Sequence, residues 1–184
     1  MKPIVREEIL DYVTYSEKRD EIRDETMKLK DARRIHLGEH LTFLFENRVT
    51  VRYQIQEMMR VEQIVKETDI QHEIDTYNEL VGGPGELGCS LLIEIDDPGE
   101  RDKLLSAWLG LPEHIYLELE NGEKAYAVFD QRQVGDTRLS SVQYLKFDTK
   151  GTLPVAVGVD HPELSDEVKL NDSQRQALAQ DLSD

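Results

Sequence analysis

A single cysteine, Cys89, stands among 184 residues. No disulfide can form within the chain, and no all-cysteine metal site can be built from one copy. Basic side chains are also scarce: 22 Lys and Arg face 38 Asp and Glu, a formal charge of −16. Such a field repels a phosphate backbone and an anionic leaflet, so neither nucleic acid nor a membrane is an expected partner. A basic protein or a cation suits it better. No stretch approaches the roughly 18 apolar residues of a membrane helix, and residues 1–8 lack the apolar core of a secretion signal. The cytoplasm is the expected compartment. Familiar catalytic signatures are missing too: there is no Walker loop, dinucleotide glycine motif, nucleophile elbow or HExxH.

What is present is a run of charged helices followed by short strands. The length fits one domain over 1–184, enough to bury a core without metals or disulfides. Residues 6–34 are dense in balanced charge, with sparse apolar positions at Ile9, Leu10, Val13, Ile22, Met27 and Leu29. Thr14-Tyr15-Ser16-Glu17 has the form of a capping box. This predicts a helical N-terminal part over 1–34. Its narrow apolar stripe packs on one side only or pairs with a second copy, which leaves a homo-oligomer open.

From residue 35 the period becomes two. Ile35, Leu37, Leu41, Phe43 and Phe45 mark one or two half-buried strands around Gly38. Asn47 caps a helix running to about Glu67, Thr68-Asp69-Ile70-Gln71 opens another, and Gly82-Gly83-Pro84-Gly85 stops it. Residues 89–95 read as a buried strand, and Asp97-Pro98-Gly99-Glu100 as a helix start. Asn121-Gly122 predicts a two-residue type I′ hairpin, which puts Ile115 and Leu117 on one face with Tyr126 and Val128. Further strands are predicted at 142–148, 155–160 and 168–170, then a helix after Asn171 through Ala177, Leu178 and Leu182. The whole predicts an α+β fold, a mainly antiparallel sheet packed with several helices, its α+β core over 35–184.

Two segments carry candidate chemistry. On the helix after Asn47, Arg52, Gln56 and Arg60 recur at i, i+4 and i+8, with Tyr53 and Glu57 beside them. Arg52 and Arg60 clamp a carboxylate or phosphate that Tyr53 and Gln56 orient. Alternatively Glu57 neutralises Arg60 in a structural network, the usual fate of half-buried charge. The second segment is Gly158-Val159-Asp160-His161-Pro162. Ala156, Gly158 and Asp160 share a strand face where small residues admit a close neighbour. There Asp160 meets an arginine or a ligand with His161 as proton carrier, or it pairs locally. If helix and strand end converge on one pocket, the stripe is a site.

The remaining candidates are weaker. His36 and His40 lie about 13 Å apart on a continuous strand, too far for one metal ion unless Gly38 turns the chain. His72 with Glu73 and Asp75 lacks the Glu-x-x-His spacing of di-iron bundles. No metal and no cofactor is expected. The glycines at 82–85 follow a helix instead of opening one, so they read as a helix stop and not a phosphate cradle. Cys89 has no basic neighbour in sequence and reads as a core thiol.

Arg48-Val49-Thr50-Val51-Arg52-Tyr53-Gln54-Ile55-Gln56-Glu57-Met58, with Leu91-Leu92-Ile93-Glu94-Ile95 and Gly158-Val159-Asp160-His161-Pro162, resembles an uncharacterised bacterial family bearing a domain-of-unknown-function label. The likeness runs over nearly the whole chain. Genes of that family often sit beside those for rubrerythrin-like and heterodisulfide-reductase-like iron–sulfur proteins. The resemblance thus implies a role near redox or peroxide metabolism, and it carries over no catalytic residues. The expectation is a non-enzymatic accessory or binding protein acting with a redox or iron–sulfur partner. The alternative is a small-molecule enzyme or binding domain that clamps an anionic ligand with Arg52 and Arg60.

Overall fold

The alternation at 35–45 folds into an antiparallel hairpin, β1 (Arg34–Leu37) and β2 (Leu41–Glu46), turning at Gly38. In the computed structural model, which describes residues 1–130 and 135–183, this hairpin starts a four-stranded sheet. With β3 (Glu86–Ile93) and β6 (Val142–Asp148) the order is β1-β2-β3-β6. The second sheet comprises β4 (Ile115–Leu119), β5 (Lys124–Tyr126), β7 (Pro154–His161) and β8 (Leu164–Lys169), in the order β5-β4-β7-β8. Every strand pair among the described residues is antiparallel. Phe43, Phe45, Leu91 and Phe147 of the first sheet meet Leu117, Val157 and Val159 of the second in one apolar core. Leu105 of α4 (Pro98–Ala107) and Leu178 of α5 (Asp172–Ser183) join it. The fold is α+β.

A separate apolar layer covers the outer face of the first sheet. It draws Val51, Ile55 and Met59 from α2 (Arg48–Val61), Ile70 and Ile74 from α3 (Glu67–Asn78), and Ile4 and Ile9 from the N-terminal segment. Outer-face positions of the sheet touch this layer. The Thr50 hydroxyl donates to Glu46, and the Leu80 carbonyl occupies the space a Cβ on Gly88 would need. Long α1 (Tyr12–Asp31) fully buries only Tyr15 and Thr26, and packs along α2. No described helix is long and apolar enough to cross a membrane.

A buried ion pair ties the segment between α1 and β1 to α5. Arg33, just beyond α1, sends Nε and Nη2 to the two oxygens of Asp181 on α5, each at 2.8 Å. Their side chains are 3% and 1% exposed, and Asn47 donates to the same carboxylate.

Several boundaries differ from the sequence reading. Asp11, not Thr14, caps α1, its carboxylate accepting from the Val13 and Thr14 amides. A charged oxygen at a helix N-terminus gains from the macrodipole where a hydroxyl does not. Asn47 caps α2 as expected, but the helix ends at Val61 because Gln63 turns left-handed at φ 55°. α3 opens at Glu67 with Lys66, which has no acceptor side chain, at the cap position, so Thr68 lies inside the first turn. β3 and β8 both begin earlier than expected, at Glu86 and Leu164.

The hairpin correction matters most. Leu117 pairs with Ala125 and Tyr116 with Tyr126, so the loop is Glu120-Asn121-Gly122, with Gly122 at φ 82°. Three-residue loops ending in a left-handed glycine are the next choice after two-residue turns. A one-residue slip sends each side chain to the opposite face. Tyr126 therefore leaves the core face and stands outside, beside Tyr116.

Candidate functional site

The polar stripe of α2 faces α1, and Glu57 is its hub. The Tyr15 hydroxyl donates to Glu57 at 2.7 Å, and Arg19 forks onto it with Nε at 2.7 Å and Nη2 at 2.8 Å. Arg60 Nε lies 3.5 Å from the same carboxylate, an ion pair without a hydrogen bond. The Arg19 bonds, then the Tyr15 bond, outweigh burial and hold the Glu57 pKa down at about 2. Burial, then Glu57 itself, pushes the Tyr15 phenol up. A carboxylate saturated by these donors is a poor general base at neutral pH. Gln56 is also committed. Its Oε1 accepts from the Leu10 amide at 2.6 Å and its Nε2 donates to the Leu10 carbonyl at 3.2 Å, pinning the N-terminal segment.

Arg52 and Tyr53 behave differently. They line a cavity of about 170 Å³ enclosed by α1, α2 and the N-terminal segment. Neither the Arg52 guanidinium nor the Tyr53 hydroxyl has a hydrogen-bond partner among the described residues.

Asp160 stands on the outer face of the second sheet. Tyr126 donates to it at 2.7 Å, His114 Nδ1 lies 3.2 Å away and Lys124 Nζ 4.0 Å away. The Tyr126 bond leads in lowering its pKa. Lys124 Nζ lies 3.5 Å from the Tyr116 ring centroid, and the Tyr116 hydroxyl donates to Glu167 at 2.9 Å. Gly158 makes room for that ring: a Cβ there would sit 2.3 Å from Tyr116 Cζ. The close neighbour admitted by the small strand face is thus Tyr116. Gly158→Ala is expected to cost about 1–3 kcal/mol through overpacking, read as a lower urea midpoint; an unchanged midpoint would mean the ring shifts freely. His161 is buried, its Nδ1 accepting from the Glu163 amide at 3.2 Å while Nε2 meets the Leu109 carbonyl at 3.3 Å. Those partners assign the proton to Nε2.

The two segments do not share a pocket. α2 lies outside the first sheet, Asp160 faces outward from the second, and the inter-sheet core separates them. Among the described residues no hydrogen bond or ion pair links Arg52, Tyr53, Gln56, Glu57 or Arg60 to Asp160 or His161.

A third feature escaped the sequence reading. Between α3 and β6 runs a groove of about 310 Å³, lined in part by Tyr77, Leu80, Val128, Phe129 and Leu145. Val128, just past β5, is 64% exposed. Glu79, Asp130 and Lys146 also line it; the carboxylates of α3, Glu67, Asp69, Glu73 and Asp75, lie outside the lining. Helical spacing marked the apolar face of α3. The opposite wall exists because Val128 bridges to Lys146 of β6, a long-range pairing without a local signal.

The profile of the family described as "Protein of unknown function (DUF3501)" matches residues 3–182. The chain belongs to this family. The chain is also similar to a crystal structure titled as a novel protein of unknown function from Burkholderia pseudomallei. The two share 28% identity and a TM-score of 0.90, over 98% of this chain and 100% of that one. Among curated proteins, none matches.

In this DUF3501 chain Gly38, at φ 60°, does turn between His36 and His40. Yet His36 Nδ1 meets the Thr42 hydroxyl at 2.9 Å, and His40 Nδ1 meets the Glu94 carbonyl at 3.2 Å. Among the described residues no three His, Cys, Asp or Glu side chains are grouped to hold a metal. Cys89 is buried, and burial followed by the nearby Glu46 charge pushes its thiol well up. That thiol is unreactive at neutral pH.

Proposed function

We propose that this protein is a non-enzymatic accessory or binding protein that docks a basic partner of the redox or iron–sulfur class in the cytoplasm. The apolar groove between α3 and β6, edged by Glu79 and Asp130, carries this reading. Exposed Val128 beside Phe129 and Leu80 offers the apolar centre from which interfaces draw most of their energy. Glu79 and Asp130 at its edge, within a chain of charge −16, steer and select a cationic surface. The groups a general acid–base enzyme would need are engaged by the chain itself, Glu57 by Arg19 and Tyr15, Asp160 by Tyr126. The redox class rests on the gene neighbourhood that the family resemblance implies.

Purification of the tagged protein from its native cell at low salt is expected to recover an iron–sulfur or rubrerythrin-like protein. Recovery should fall as salt rises from about 0.05 to 0.3 M, because screening shortens the reach of the chain's negative field. Repeated recovery of no such partner under mild conditions would remove the proposal.

A further inference from the structure

Five cations gather where α1 faces α2, although the chain as a whole is acidic. Arg19 and Arg60 are taken up by Glu57. Arg52 lines the 170 Å³ cavity, Lys30 Nζ lies 5.5 Å from the Tyr53 ring centroid, and Arg23 is near enough to bias the Tyr53 phenol. None of these three has a hydrogen bond or ion pair to a described residue. Glu8, the carboxylate in the cavity wall, is hydrogen-bonded to Arg48 and feels the Arg52 charge only through space. Tyr53 is 7% exposed, and its hydroxyl, which bonds no described residue, still reaches solvent and is free to donate to a guest. A phenol donor open to a guest, beside cations without a hydrogen-bonded carboxylate and at a cavity with room for a small molecule, is an arrangement suited to an anion.

We infer that this cavity binds a small oxyanion, a carboxylate or a phosphate. The Arg52 guanidinium forks its oxygens, the Tyr53 hydroxyl donates one hydrogen bond, and Arg23 and Lys30 add charge. Arg60 and Gln56 take no part, since Glu57 and Leu10 hold them. The net charge does not forbid this. Charges beyond about 8–10 Å are screened at physiological salt, while direct contacts in a partly buried cavity are screened less. The site is independent of the α3–β6 groove, so either can fail alone.

Calorimetric titration of the full chain at low ionic strength, with inorganic phosphate and with succinate, tests it. One saturable site per chain is expected for at least one probe, and the tighter probe identifies the class. Tyr53→Phe, which keeps the ring, should weaken binding about tenfold, the loss of one charge-assisted hydrogen bond. Arg52→Gln and the exposed Arg23→Gln should each weaken it, whereas Lys103→Gln on α4 should leave it unchanged. No saturable heat with either probe would overturn the inference. So would Tyr53→Phe and Arg52→Gln binding as tightly as the wild type.

Discussion

Asp181→Ala is expected to destabilise the protein by about 3–5 kcal/mol, the usual cost of removing one partner from a buried ion pair. The substitution strands Arg33, 3% exposed, with only the Leu29 carbonyl as acceptor. It also deprives Asn47, the cap of α2, of a bond. At this chain length the loss corresponds to a fall in Tm of roughly 10 °C. Replacing Arg33 and Asp181 together by leucine should recover most of that. An apolar pair avoids the desolvation that the ion pair must overcome. Urea unfolding of the three variants reads both effects. A single-variant loss below about 1 kcal/mol would show that water reaches the pair.

Acid should weaken the α1–α2 contact through Glu57. Its folded pKa is about 2 against an ordinary 4.5, so it is depressed. The stabilisation is therefore fully present above pH 4.5 and is lost as pH falls from 4.5 towards 2. The shift is equivalent to about 3 kcal/mol, with little discount for solvent because the side chain is only 17% exposed. Many other carboxylates titrate in the same range, so the difference between wild type and Glu57→Gln isolates this one. At neutral pH the variant should be less stable by about that amount, and the two curves should converge near pH 2. Parallel curves across the range would assign the contact to packing, with the charge irrelevant.

Local chemistry was legible where one residue decides the outcome. Asn47 and Asp97 cap α2 and α4, each through its own side-chain oxygen, and the odd-numbered apolar positions of 35–45 face the core. Asn121-Gly122 does mark the β4–β5 turn, but the dipeptide leaves the loop length open. Both loop lengths satisfy the same dipeptide, and pairing of β4 with β7 as well as β5 settles the register. Within α2 the Glu57–Arg60 pair follows from i, i+3 spacing. Arg19 and Tyr15, the stronger partners, come from another helix, and no local period reports them. Gly158 announced a close neighbour, yet only tertiary structure supplies Tyr116. The groove was least visible, because Val128 and α3 meet only through the sheet.

That groove also carries the proposed function. The most direct test is side-by-side recovery of partner by tagged wild type, Val128→Asp, and a control with Glu21→Lys on the exposed face of α1. One iron–sulfur or rubrerythrin-like protein is expected with wild type and control, and at least tenfold less with Val128→Asp at unchanged Tm. Equal recovery by all three, or no such protein with any, would contradict the proposed function.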